Sequence, residues 1–174
     1  MATSTSSTTN VYQFKVALKR MKPPIWRRIQ VRESLNFREL HVAIQEAMGW
    51  ESAKHDYHLH QFEMTHPITK ETVGAFGDAP LNERKAKIAE YFTLSNKRAT
   101  YLYDFGAGWE HDVLLEEILP AVVGDKYPKC IAGRQACPRE DDLEFETEPP
   151  KFNPRLVFLF IACAFLQFPE TENV

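Results

Sequence analysis

Apolar and polar residues begin to alternate near the eleventh position. In NVYQFKVALKR, Tyr12, Phe14, Val16 and Leu18 fall on one side of an extended chain and Lys15 and Lys19 on the other. That period of two predicts a β-strand. MKPP interrupts it, because prolines cannot donate to a ladder, and IWRRIQV resumes it. The two runs predict a hairpin closed by the proline loop. The period then changes. In SLNFRELHVAIQEAMGW, Phe37, Leu40, Ile44 and Met48 recur at helical spacing, with Ser34 or Asn36 as the cap and Gly49 as the stop.

Further on, HLHQFEM (58–64) predicts a third strand that passes into loop-like GAFGDAP. LNERKAKIAEYF (81–92) predicts a second, more polar helix anchored by Ile88 and Phe92. ATYLYDF (99–105) and HDVLLEEIL (111–119) predict two strands joined by the glycine-bearing turn GAGW, followed by a loop carrying Cys130 and Cys137. NPRLVFLFIACAFLQF opens on Asn153 and Pro154, a good helix start, and holds eleven consecutive apolar residues from Leu156 to Leu166. A membrane span needs about twenty, so this predicts a helix buried against the core or a partner, and no membrane span.

These elements predict an α+β fold: a single-domain compact roll of mixed or antiparallel strands with one main helix, plus an apolar C-terminal helix. Residues 1–10 are expected to be a disordered tail, 11–142 the α+β domain, and 143–174 an acidic linker and the apolar helix (152–168). The length of 174 residues suits one domain. The net charge of −3 demands neither nucleic acid nor membrane. Three cysteines and no secretory signal predict a reduced, cytoplasmic protein.

Charge is nevertheless uneven. Residues 11–32 carry seven basic side chains and no acid, whereas 104–150 carry twelve acids and four basic residues. Trp26 among Lys15, Lys19, Arg27 and Arg28 makes a candidate face for a nucleic acid or an acidic protein, since aromatic rings interleaved with cations stack bases and contact phosphates. The alternative is that the cations pair internally with the acidic segment from Glu140 to Glu148. Asp104, His111 and Glu140 are candidate acid–base residues. In the plainer alternative Asp104 caps a turn in which Gly106 and Gly108 supply positive φ. His58 and His60, two apart on one strand face near His55 and His66, could bind a divalent metal or form a polar sheet face. Cys130 and Cys137, too far apart for one zinc knuckle, could join His111 in a zinc site, form a disulfide, or pin a loop as small buried residues, with Glu140 and Asp141 accepting backbone hydrogen bonds.

Taken together, YQFKVAL, PPIWRRIQV, LHVAIQEAMGW, HDYHLHQF, YLYDFGAGWEHDVLLE and YPKCIAGRQACPRED resemble the plasmid pRiA4b open-reading-frame-three family, from about Val11 to Asp141. The resemblance implies a roll-like α+β fold, a largely unassigned molecular function, and for some members an encoding in plasmids and insertion elements. The chain departs from the family pattern at Ala107, where a second acid is usual, at Arg139, and at Asp142, Leu143 and Glu144, which stand in place of Cys-Gly-Gly. The expectation is a binding or adaptor module without a cofactor, taking a protein or nucleic-acid partner, with the C-terminal helix as a candidate surface for self-association. The alternative is a metal-dependent hydrolase using Asp104, His111, Cys130, Cys137 and Glu140, with zinc as its candidate metal.

Overall fold

The computed structural model describes residues 9–50, 58–69, 72–73 and 82–140. Seven strands form one sheet: β1 (Asn10–Leu18), β2 (Ile25–Arg32), β3 (His60–Thr65), β4 (Thr72–Val73), β5 (Arg98–Tyr103), β6 (Trp109–Pro120) and β7 (Lys129–Arg134). The spatial order is β4-β3-β5-β6-β1-β2-β7. Among the described residues every pairing is antiparallel. Helix α1 (Phe37–Met48) connects β2 to β3 across one face, and α2 (Ile88–Tyr91) is a single turn.

The β1–β2 hairpin forms as its alternation predicts, with Phe14 opposite Ile29 and Lys15 opposite Arg28. Strand β1 then pairs with β6, so chain segments about a hundred residues apart build the middle of the sheet. Phe14, Val16, Ile29, Val31, Tyr101 and Leu115 point from the sheet toward Phe37, Leu40 and Ile44 of α1, and all are buried. Fully burying such side chains contributes roughly 1.5–3 kcal/mol each.

Asn36 starts α1 with a capping box: its side chain accepts from the Glu39 amide, and the Glu39 carboxylate accepts from the Asn36 amide. Gly49 ends it in the left-handed region at φ 84°, where a Cβ would be strained. The polar helix expected over 81–92 is shortened to Ile88–Tyr91. The residues before it take a turn around Asn82, whose carbonyl accepts from Lys85 and Ala86 and whose side chain accepts from the Arg84 amide. That segment lies against the start of α1, through Phe37 N–H to the Ala86 carbonyl and Arg38 N–H to the Glu83 carbonyl.

Two further expectations need correction. The cysteine loop contains β7, which pairs with β2 at the sheet edge. Arg27 is not on the basic face: it is 1% exposed and sits on the core side of β2 between Ile25 and Ile29. Its guanidinium donates to the carbonyls of Ala47, Trp26, Arg134 and Gln135. It is a clasp joining α1, β2 and β7, and it cannot meet a partner. The expected C-terminal helix and the acidic linker lie outside the described residues. Among the described residues no helix is long and apolar enough to cross a membrane.

Candidate functional site

The sequence-predicted residues divide into three places. On the sheet face away from α1, Lys15 and Arg28 both lie over the Trp26 ring, 5.2 and 5.3 Å from its centroid. Register explains this: Lys15 is opposite Arg28, with Trp26 one step along the same face of β2. These cations are not left facing solvent alone. Arg28 makes two contacts with Glu116, Nε to Oε2 at 2.6 Å and Nη2 to Oε1 at 2.9 Å. Lys19 meets Glu110 at 2.5 Å and Asp112 at 3.5 Å, and Arg20 meets Glu110 at 3.2 Å. The hydrogen bonds from Lys19 and Arg28 hold Glu110 and Glu116 below the usual carboxylate range. The acids that match this face come from β6, which lies beside β1 and one strand away from β2.

The second place is the interior. His111 is fully buried among Tyr101 and Trp50, with Nδ1 3.3 Å from the Tyr101 carbonyl and Nε2 without a partner among the described residues. Burial pushes its pKa down to about 4. Cys130 and Cys137 are free thiols, not a disulfide. Cys130 is buried in β7 with Sγ 3.5 Å from the Ala132 carbonyl, and Cys137 packs against the Arg27 guanidinium and Met48. Burial raises both thiols to about 11, so neither is a ready thiolate. Among the described residues no three His, Cys, Asp or Glu side chains group as metal ligands would, so His111, Cys130 and Cys137 are not brought together as one site. Glu140 accepts from the Tyr103 hydroxyl, while its carbonyl accepts from Trp109 Nε1. Asp104 caps its own turn, accepting from Gly106 and Ala107, with Gly108 at φ 68°; Gly106 has no positive φ. Asp104, His111 and Glu140 therefore serve three separate local structures.

The third place is a cleft of about 300 Å³ lined by Arg38, His58, Leu59, His60 and Glu83. Each residue has an identifiable support. Arg38 lies in the first turn of α1. Glu83 is set by the Asn82 turn and by the Arg38 amide. His60 begins β3 opposite Tyr103, and His58 sits in the bend just before it. His60 Nε2 lies 2.8 Å from Glu83 Oε2. Burial pushes Glu83 upward, but the hydrogen bond to His60 and the charges of His60, Arg38 and Arg84 outweigh it and hold the group low. An ionised Glu83 fixes His60 Nε2 as the donor. His58 Nδ1 lies 3.4 Å from Asp104 Oδ2.

Behind the cleft the His41 ring stacks on His60, with centroids 3.6 Å apart and planes 9° apart. Its Nδ1 is 2.7 Å from the Tyr101 hydroxyl, which accepts from Gln45 Nε2 at 2.6 Å. The direction of the His41–Tyr101 hydrogen bond follows the imidazole tautomer, since the hydroxyl can both donate and accept. Burial, then the charges of His60 and Arg38, keep His41 far below the ordinary imidazole range, and burial puts Tyr101 far above the phenol range. Sequence reasoning found His58 and His60 but missed Arg38, His41, Glu83 and Tyr101. One signal was available: His41 and Gln45 are four apart on α1, beside Leu40 and Ile44 of its buried face.

The family model for plasmid pRiA4b ORF-3-like proteins matches residues 10–144. The chain belongs to that family. A curated relative, the uncharacterised protein y4hQ of Sinorhizobium fredii (strain NBRC 101917 / NGR234), is 32% identical over 133 residues, 76% of this chain and 66% of the relative. The chain thus spans just under two thirds of that protein's length. A crystal structure of a protein of unknown function, MM3350 from Methanosarcina mazei Go1, is 40% identical and superposes with a TM-score of 0.76, covering 86% of this chain and 97% of the other. The pRiA4b ORF-3-like assignment thus brings a shared fold and no activity with it.

Proposed function

We propose that this protein is a binding module whose recognition site is the cleft between Arg38, His58–His60 and Glu83. One observation carries this. Ionisable side chains from α1, the bend before β3 and the Asn82 turn converge on one concavity, and a buried layer of His41, Tyr101 and Gln45 fixes its wall. Concave sites with a few oriented polar groups are where small molecules and protruding side chains bind. The cleft offers oriented donors and acceptors from Arg38, His58, His60 and Glu83.

A second reading, an acidic protein or nucleic acid on the Lys15–Trp26–Arg28 face, is favoured by the placement of both cations over Trp26. It is weakened by Glu110, Asp112 and Glu116, which already offset that charge. NMR titration of the isotope-labelled chain against a mixed library of small acids, amines and amides separates the two. Shifts clustered on Arg38, His58 to His60 and Glu83 are expected. Shifts confined to Lys15, Trp26 and Arg28 would favour the second reading, and no shifts at the cleft would remove the first.

A further inference from the structure

We infer that the apolar run at 156–166 of this chain docks on the outer side of α1, over Val42.

A helix lying on a sheet is expected to bury one side and keep the other in water. Helix α1 does not. Phe37, Leu40, Ile44 and Met48 belong to the core that α1 shares with the sheet. Val42 stands two residues from both Leu40 and Ile44, which places it about 200° around the helix from each. It is nevertheless only 4% exposed, and Glu46, one turn further on, is only 3% exposed. Val42 is not a member of the core cluster. Its cover is therefore something other than that core.

Among the described residues, the elements around α1 touch it elsewhere. All seven strands belong to one sheet. Helix α2 packs beside the first turn, with Tyr91 on Phe37 at 5.2 Å. The segment before α2 meets that same turn at Phe37 and Arg38. The stretch after β7 crosses the other end, with Cys137 on Met48 and the Pro138 carbonyl accepting from Trp50 Nε1. Val42 lies between these two ends, on the outer side.

A cover over a valine has to be apolar, and the sequence offers three stretches. Residues 51–57, ESAKHDY, are mostly polar, and they start and finish beside one ring: Trp50 and His58 lie 5.4 and 5.8 Å from Tyr103. Residues 74–81, GAFGDAPL, hold two large apolar side chains, Phe76 and Leu81. Residues 156–166 are apolar without interruption, and such a run has to be withdrawn from water.

The run is also tethered in the right place. At Glu140 the carboxylate accepts from Tyr103 and the carbonyl from Trp109. Trp50, two residues past α1, stacks on that same Tyr103 ring. The tether thus starts at the C-terminal end of α1, and its fifteen residues, 141–155, lead to the run. They reach up to about 50 Å when extended, whereas α1 is about 18 Å long. Eleven residues measure about 16 Å as a helix, which matches the length to be covered.

The test uses the full chain, labelled so that valine methyls and the phenylalanine and tyrosine rings are read in one NOE spectrum. Contacts from the Val42 methyls to Phe158, Phe160 or Phe165 are expected. Contacts to Phe76 or Tyr57 in their place overturn the assignment and give the cover to 74–81 or 51–57. Absence of any ring contact overturns it as well. A sample that mixes labelled and unlabelled chains sorts the source. Contacts between a labelled and an unlabelled chain would place the run of a second copy on α1 and overturn docking within one chain.

Cleavage by chymotrypsin reads the same contact through its release, since the run is rich in Phe and Leu. Val42→Asp puts a charge beneath the run and is expected to speed cleavage within 156–166 at least about tenfold, because the rate follows the open fraction. Val42→Ala is expected to speed it about threefold, and it serves if the first variant does not fold. Val123→Asp makes the same change at a valine that is 101% exposed after β6, and it is expected to leave the rate unchanged. Equal rates in the parent and both Val42 variants, or equal acceleration by Val123→Asp, overturn the docking.

Discussion

The cleft and the outer face of the β1–β2–β6 sheet use the same kinds of side chain to opposite effect. On the sheet face, charges sit at regular register positions, and Lys19 and Arg28 meet carboxylates from β6. Such pairs are half-buried but still reached by solvent and repeat along the strands, and they offset the surface charge at modest energetic gain. In the cleft, charges come from segments that are not strand neighbours, and one partner of each contact is turned toward the core. Charge density along the sequence pointed to the first region, whereas convergence in space points to the second. A run of cations is therefore a weaker guide to function than a few ionisable groups that the fold has gathered at some cost in desolvation.

The comparison can be broken at Arg27, a basic residue of the hairpin that belongs to neither region. Arg27→Met should lower stability by about 3 kcal/mol or more, because the carbonyls of Ala47, Trp26, Arg134 and Gln135 lose their donor while partly enclosed. Denaturant unfolding measures this, and a loss under about 1 kcal/mol would return Arg27 to the surface class.

The next effect depends on pH. His111 has its folded-state pKa lowered to about 4 by burial. The unfolded chain takes its proton near the ordinary value of about 6.5. The unfolded state therefore binds more protons between those values. The stability that His111 contributes is fully present above about pH 6.5 and is lost as pH falls toward about 4, to the order of 3 kcal/mol. His41, also depressed, acts in the same direction. Unfolding midpoints between pH 7 and pH 4 should fall, and His111→Phe should flatten the fall.

The smallest effect belongs to the sheet face. Lys19→Ala with Arg28→Ala should cost less than about 1 kcal/mol, and less again in high salt, as ion pairs reached by solvent do. If the same pair of changes flattened the log–log salt dependence of duplex DNA binding by roughly two units, the face would be a phosphate site after all.

Much of the fold was legible. The alternation of β1 and β2, the Asn36 capping box and the Gly49 stop are local signals, and the structure follows them. Even the burial of Arg27 was encoded, since it shares parity with Ile25, Ile29 and Val31. Strand β7 was hidden because KCIAGR is short and has only a weak alternation; pairing with β2 makes it a strand. The helix over 81–92 shrank because few apolar residues anchor it and Asn82 binds the backbone in a turn. The cleft was half legible. His58 and His60 stand two apart in the sequence, but Arg38, His41, Glu83 and Tyr101 meet them only through the order β3-β5-β6 and the seat of α1.

The central claim, that recognition belongs to the cleft and not to the basic face, is tested most directly by one NMR titration of the mixed library of small acids, amines and amides into two double variants. Arg38→Gln with His60→Gln should weaken binding at least about tenfold, while Lys19→Ala with Arg28→Ala should bind as the parent does. Loss of binding in the second pair, with the first unaffected, would contradict the account.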